Sequence, residues 1–201
     1  MLGEVLASLE GGIDLVLAIP AGGVPVAVEV ARVLGVKLDV AVVSKITMPY
    51  TTEAGYGAVA FDGTVRLNRG LAKRSGLSEN NITLDVVRTT SKVHRRQARM
   101  RGARTWPALY GQRVAVVDDG LASGFTMLVA VEALRKKEPE RLIVAVPTAL
   151  EDTARTVAAQ VEAVVCPNLR THHPFAVAAA YRRWDDVSED DAVRMLDEWF
   201  A

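Results

Sequence analysis

A single cysteine, Cys166, leaves no partner for an internal disulfide and no all-cysteine metal site, which fits a reducing compartment. Net charge is also missing. Twenty-four Lys and Arg balance twenty-four Asp and Glu, so the chain as a whole has no excess charge to draw it onto nucleic acid or an anionic membrane. Any charge-driven function must come from local clustering. No stretch approaches the ~20 apolar residues that a membrane span requires. The opening "MLGEVLASLEGG" has no basic leader, and Glu4 and Glu10 interrupt its apolar residues. These absences predict a soluble, cytoplasmic protein without a membrane partner. There is no internal repeat and no low-complexity segment. What is present, 201 residues of which 50 % are hydrophobic, suffices for one compact α/β domain over 1–201.

Short β-branched runs bounded by turn residues lie at Asp14 to Pro20, Leu38 to Ser44, Arg113 to Asp118, Leu142 to Pro147 and Ala163 to Cys166. Most lack polar alternation, as strands buried on both faces do. Helix-length segments separate several of them: Val24 to Leu34, Thr126 to Lys137 and Glu151 to Ala159. This β-α-β alternation predicts a doubly wound, mostly parallel five-stranded sheet, with ligands past the carboxyl ends of its strands. An excursion over about 47–104 breaks the pattern. Residues Thr47 to Asn68 read as an irregular loop and a hairpin turning at "FDGT", and Ser78 caps a long helix running to Arg101. Its length makes the excursion a candidate flexible lid. Ser188 caps a last helix whose first turn is acidic.

The stretch "VAVVDDGLASGFTM", Val114 to Met127, carries the most chemistry. A strand ending at Asp118 places Asp118 and Asp119 at the ligand-facing edge of the sheet. The loop from Gly120 to Thr126 then enters a helix whose first N–H groups are unpaired, a cradle for an anion. Gly120 and Gly124 let the backbone approach a phosphate, and Ser123 and Thr126 add hydroxyl donors. The carboxylates would repel that phosphate, so they face something else: sugar hydroxyls or a metal. An acid pair at a strand end can equally cap a helix or meet solvent. A cap, however, requires only one of the residues found here in a single register.

This stretch resembles the phosphoribosyl-pyrophosphate-binding signature of the type I phosphoribosyltransferases, and the resemblance runs from about Leu15 to the C-terminus. It implies that Asp118 and Asp119 hold the ribose hydroxyls, while Gly120, Leu121, Ala122, Ser123, Gly124, Phe125 and Thr126 wrap the 5′-phosphate. It also implies transfer of ribose 5-phosphate to a small nitrogen acceptor, a nucleobase by first choice, with release of pyrophosphate. Mg²⁺ would ride on the diphosphate, held by substrate and water, with Asp118 or Asp119 the only candidate protein ligands. In "AIPAGGVPVA", Ala21, Gly22 and Gly23 occupy the place of the family's pyrophosphate loop, often built with a non-proline cis peptide; Ala21 stands where relatives commonly carry a basic residue. A glycine pair is also an ordinary strand-to-helix turn.

Lys45 by resemblance reaches the diphosphate; on its own terms it is equally a solvated lysine. "EAGYG", Glu53 to Gly57, matches a similar stretch with no mechanism attached. In "HHPFAVAAAY", part of a small C-terminal hood over about 167–201, Phe175 lies against the acceptor's ring or packs in the core. Ala122 replaces the acid that 6-oxopurine enzymes of the family carry, which disfavours hypoxanthine and guanine. Phe125 is a bulky ring beside the phosphate loop, and the leading segment usual in close relatives is absent. The adjacent His172 and His173 point apart and make no chelating pair. His94 reads as surface charge and Cys166 as packing.

The cluster Lys92, Arg95, Arg96, Arg99, Arg101 and Arg104 contains no acid, and faces a polyanionic substrate or solvent. The alternative reading of the whole is a non-catalytic regulatory protein that senses phosphoribosyl pyrophosphate. A nucleic-acid-binding module using the basic cluster ranks third. Relatives often pair, so a homodimer is implied.

Overall fold

The structure, a computed structural model, describes residues 1–49, 55–172 and 174–201. In chain order the elements are α1 (Leu2–Ala7), β1 (Leu15–Ala18), α2 (Gly23–Leu34), β2 (Lys37–Val40), β3 (Val43–Thr47), β4 (Gly55–Ala60), β5 (Val65–Leu67), α3 (Arg69–Arg74) and α4 (Glu79–Arg101). They continue with β6 (Arg113–Val117), α5 (Phe125–Arg135), β7 (Arg141–Ala145), β8 (Thr148–Leu150), α6 (Glu151–Ala158), β9 (Ala163–Val165), β10 (Asn168–Arg170), a 3₁₀ turn (Val177–Ala180) and α7 (Glu189–Phe200).

The central sheet has five parallel strands in the order β2-β1-β6-β7-β9. Alternate residues of each strand enter opposite layers. Val16, Ala18, Ala115 and Val117 join a core with α2, α4 and α7, whereas Leu15, Leu17, Val114 and Val116 join one with α5 and α6. Burial on both faces explains the unbroken apolar strand sequences. The loops that follow β1 and β6 leave the carboxyl edge of the sheet side by side, because β1 pairs directly with β6, and that edge is where open α/β sheets bind ligands.

The run Leu38 to Ser44 is not one strand. It divides into β2, in the parallel sheet, and β3, the first strand of an antiparallel sheet β3-β4-β5. Buried Ala41 and Val42 carry the chain between sheets without a glycine or proline to mark the change. The hairpin β4-β5 is integral to the body: Ala58, Val59 and Ala60 are fully enclosed. Helix α4 begins at Ser78, whose hydroxyl accepts the Asn81 N–H at 3.2 Å. It is anchored at its far end by a buried ion pair, Arg101 Nη2 to Asp39 Oδ2, at 2.7 Å. Ser188 and Asp191 form a capping box on α7.

A short parallel pair, β8-β10, extends the carboxyl edge of the fold. Leu121 bridges to Ala149 beside it, donating its N–H to Thr148 at 3.0 Å and accepting from the Leu150 N–H at 3.0 Å. The loop after β6 is thereby fixed at its midpoint. No helix among the described residues is long and apolar enough to cross a membrane.

Candidate active site

Three cavities meet at Asp119. The first, about 150 Å³, is lined by Lys45, Asp118, Asp119 and every residue from Gly120 to Met127. Its floor is the start of α5: Gly124 is the N-cap, with φ +66°, and its carbonyl accepts the Leu128 N–H at 2.9 Å. N–H groups of the first helical turn precede that bond and lack helical partners. Phe125 is half-buried, packing against the core while lining one wall. Gly120 sits in a tight space, since a Cβ there would lie 2.7 Å from a Val177 methyl and 3.0 Å from the Thr148 carbonyl oxygen.

The acid pair is half-buried at the end of β6. Asp118 Oδ1 accepts the Asp119 N–H at 2.9 Å, and the Asp119 carbonyl accepts the Tyr181 hydroxyl at 2.7 Å. Burial lifts both carboxyls above the ordinary Asp value, and the Asp119 charge lifts Asp118 further; Lys45 pulls both partway back. The Tyr181 phenol is raised to about 12 by burial and by the two carboxylates. Lys45, exposed on β3 opposite Ala58, therefore faces the acids from the second sheet.

The second cavity, about 430 Å³, lies between the loop after β1 and helix α4. Pro20–Ala21 is a non-proline cis peptide, as the resemblance implied. Gly22 and Gly23 are set tightly against the acids. A Cβ on Gly22 would sit 2.0 Å from Asp119 Oδ2, and one on Gly23 2.9 Å from Asp118 Cα. The Asp119 carboxylate thus leaves no room for a side chain at Gly22, and the β6 backbone leaves none at Gly23. Arg96 of α4 donates to the Pro20 carbonyl, the Val43 carbonyl and Ser44 Oγ, each at 3.0 Å, and pairs with Glu189 of α7 at 3.1 Å. Lys92 lines the same cavity.

The third cavity, about 600 Å³, opens from Ala21, Gly22 and Asp119 toward Tyr181 and Trp184, whose rings meet edge to face at 5.0 Å. Phe175 is not in it. That ring lines a separate cavity of about 380 Å³ with His172 and Pro174, sharing no lining residue with the other three among the described residues. The aromatic pair nearest the acids was missed in the sequence because "YRRW" has no periodicity to set it apart from a surface loop. The basic cluster also divides. Arg99 pairs with Glu189 and Asp190, Arg101 with Asp39, and Arg104 stacks on Phe200 at 3.7 Å, leaving Lys92 and Arg96 toward the cavity and Arg95 exposed.

His94 and His172 are exposed, and Cys166 is half-buried with its thiol raised by burial, consistent with packing. His173, Glu53 and Ala54 lie outside the described residues; Gly55 to Gly57 of "EAGYG" begin β4. Among the described residues no three His, Cys, Asp or Glu side chains gather to hold a metal ion. The donor set is two carboxylates, hard oxygens of the kind Mg²⁺ takes as ligands and too few to cage it alone.

Residues 61–182 match the family described as the phosphoribosyl transferase domain. The chain belongs to that family. The matched span of this phosphoribosyl transferase domain holds the acid pair and the loop to Thr126; Gly22, Gly23 and Lys45 precede it. Two Mycobacterium tuberculosis proteins, from strains CDC 1551 and H37Rv, are named as inferred phosphoribosyl transferases and are each 35 % identical over 98 % of this chain. The chain spans 44 % of their length. The crystal structure of TT1426 from Thermus thermophilus is 33 % identical, covers 98 % of this chain and 93 % of its own, and superposes with a TM-score of 0.78.

Proposed function

We propose that the domain transfers the ribose 5-phosphate of phosphoribosyl pyrophosphate to a small nitrogen acceptor, with a nucleobase the first choice, and releases pyrophosphate. The observation that carries this reading is the meeting of three cavities at Asp119: an amide cradle, a cation-lined cleft and an aromatic-lined space. A ligand with a phosphate, a pentose and a diphosphate uses each wall, and an acceptor ring fits beside Tyr181 and Trp184. The loop Gly120 to Thr126 binds the 5′-phosphate through backbone N–H groups and the hydroxyls of Ser123 and Thr126. Asp118 and Asp119 accept hydrogen bonds from the ribose hydroxyls and orient the anomeric carbon toward the aromatic space.

As the bond to the diphosphate breaks, positive charge grows on the sugar and negative charge on the leaving group. The acid pair faces the former; Lys45 and the amides of Gly22 and Gly23 face the latter. Mg²⁺ bound with the diphosphate would neutralise further charge on the leaving group, with Asp118 or Asp119 its candidate protein ligands. Ala122 offers no acid to handle a base proton, so the proton lost by the acceptor passes to Asp119 or to water.

Calorimetry with phosphoribosyl pyrophosphate and Mg²⁺ tests the reading. The wild-type chain is expected to bind, and the double substitution Asp118→Asn, Asp119→Asn to lose affinity by at least ~100-fold with its circular dichroism unchanged. Retained affinity would refute the role of the acids. A pyrophosphate-release screen over nucleobases and small amines then separates transferase from sensor, since a sensor binds without release.

A further inference from the structure

Ala21, in the loop after β1, carries no charge, yet the cavity it lines receives two cations from α4. Lys92 and Arg96 are one helical turn apart and lie on one wall. Arg96 is nearly enclosed, with 12 % of its side chain exposed, and its guanidinium joins three elements: the Pro20 carbonyl after β1, Val43 and Ser44 in β3, and Glu189 in α7. The β3 contacts immediately precede Lys45, and the Pro20 contact immediately precedes Ala21, so one planar group sets the spacing of both sides of the cleft. Lys92 lines the cavity from the exposed face of α4 with its ammonium uncommitted to any ion pair among the described residues.

We propose that α4 supplies the positive wall that the loop lacks. Lys92 binds the diphosphate directly, and Arg96 is a positioning residue that fixes the Pro20–Ala21 loop against β3 while adding its charge, partly countered by Glu189. The inference rests on the reading of the site as one for phosphoribosyl pyrophosphate.

The experiment compares Mg²⁺ with phosphoribosyl pyrophosphate, Mg²⁺ with inorganic pyrophosphate, and ribose 5-phosphate alone as calorimetric probes of the full chain. Lys92→Gln is expected to weaken pyrophosphate and phosphoribosyl pyrophosphate roughly ten-fold and to leave ribose 5-phosphate unchanged. Arg96→Lys, which keeps the charge and loses the fork, weakens pyrophosphate selectively; equal loss of both partial ligands marks a merely structural role and overturns its assignment. Should Arg96→Lys fail to fold, Glu189→Gln decides: it keeps an acceptor for Nε and removes the countercharge, so pyrophosphate binds several-fold tighter. Unchanged or weaker binding there, or wild-type pyrophosphate affinity in Lys92→Gln, overturns the inference while binding of phosphoribosyl pyrophosphate by the parent stands. If the parent binds none of the three probes, it is the function reading that falls.

Discussion

Gly22 and Asp119 share a space that admits one side chain. Replacing Gly22 with Ala would put a methyl group where Asp119 Oδ2 now lies, so either the carboxylate rotates away or the loop retreats. Gly22→Ala is therefore expected to cost ~1–3 kcal/mol of stability and to abolish binding of phosphoribosyl pyrophosphate, measured by denaturant titration and calorimetry. Gly63, in the β4-β5 turn at φ +85°, has open space at its Cβ position but a backbone strained for any side chain, so Gly63→Ala is expected to cost stability while leaving binding unchanged. The acids and the loop were legible in the sequence because each residue type has a local reason to be there. The reason for Gly22 was only half legible: its contact with Asp119 spans nearly a hundred positions of sequence and leaves no local trace. Arg96 left a subtler signal. It falls on the inward stripe of α4 defined by Ile82, Thr89, Val93 and Met100, and an arginine on such a stripe must find buried acceptors.

Among the elements, α4 holds the cleft from one side and is itself held by the pair of Arg101 with Asp39 on β2. Both side chains are under a tenth exposed, so removing one partner strands a buried charge. Arg101→Met should destabilise the chain by about 3–5 kcal/mol, and adding Asp39→Leu should recover much of that loss. Chemical denaturation of the two singles and the double measures the coupling; additive losses would show that the pair does not act as a unit. The core strands and capped helices were readable because burial on two faces and cap chemistry are local properties. The switch from β2 to β3 was not, since only the distant partners β1 and β4 distinguish the two strands. Helix α1, the short α3 and the β8-β10 pair escaped notice too, being too brief for periodicity to register.

For the molecule as a whole, the site sets a tension between function and stability. Asp118 and Asp119 bind protons more tightly in the fold than in the unfolded chain. Their contribution to stability is thus complete below the ordinary Asp value of 3.8 and lost as pH rises through the raised folded values. Above those folded values the ionised pair burdens the free protein. Asp118→Asn is expected to raise the Tm at pH 7 by about 2–4 °C, the gain shrinking as pH falls toward 4, while ligand affinity drops. A lowered Tm at pH 7 would show instead that the carboxylate is stabilised by its surroundings.

The pairing of β1 with β6 has a kinetic corollary. Asp14 at the head of one strand meets Arg113 at the head of the other across 99 positions, and the two walls of the cleft stand at the opposite ends of these strands. Closing so long a loop carries an entropic cost, and it must precede assembly of the cleft. A refolding chain is therefore expected to bind phosphoribosyl pyrophosphate, on the proposed reading of the site, only once this ladder has formed, so that the onset of binding should time the closure of the central sheet itself.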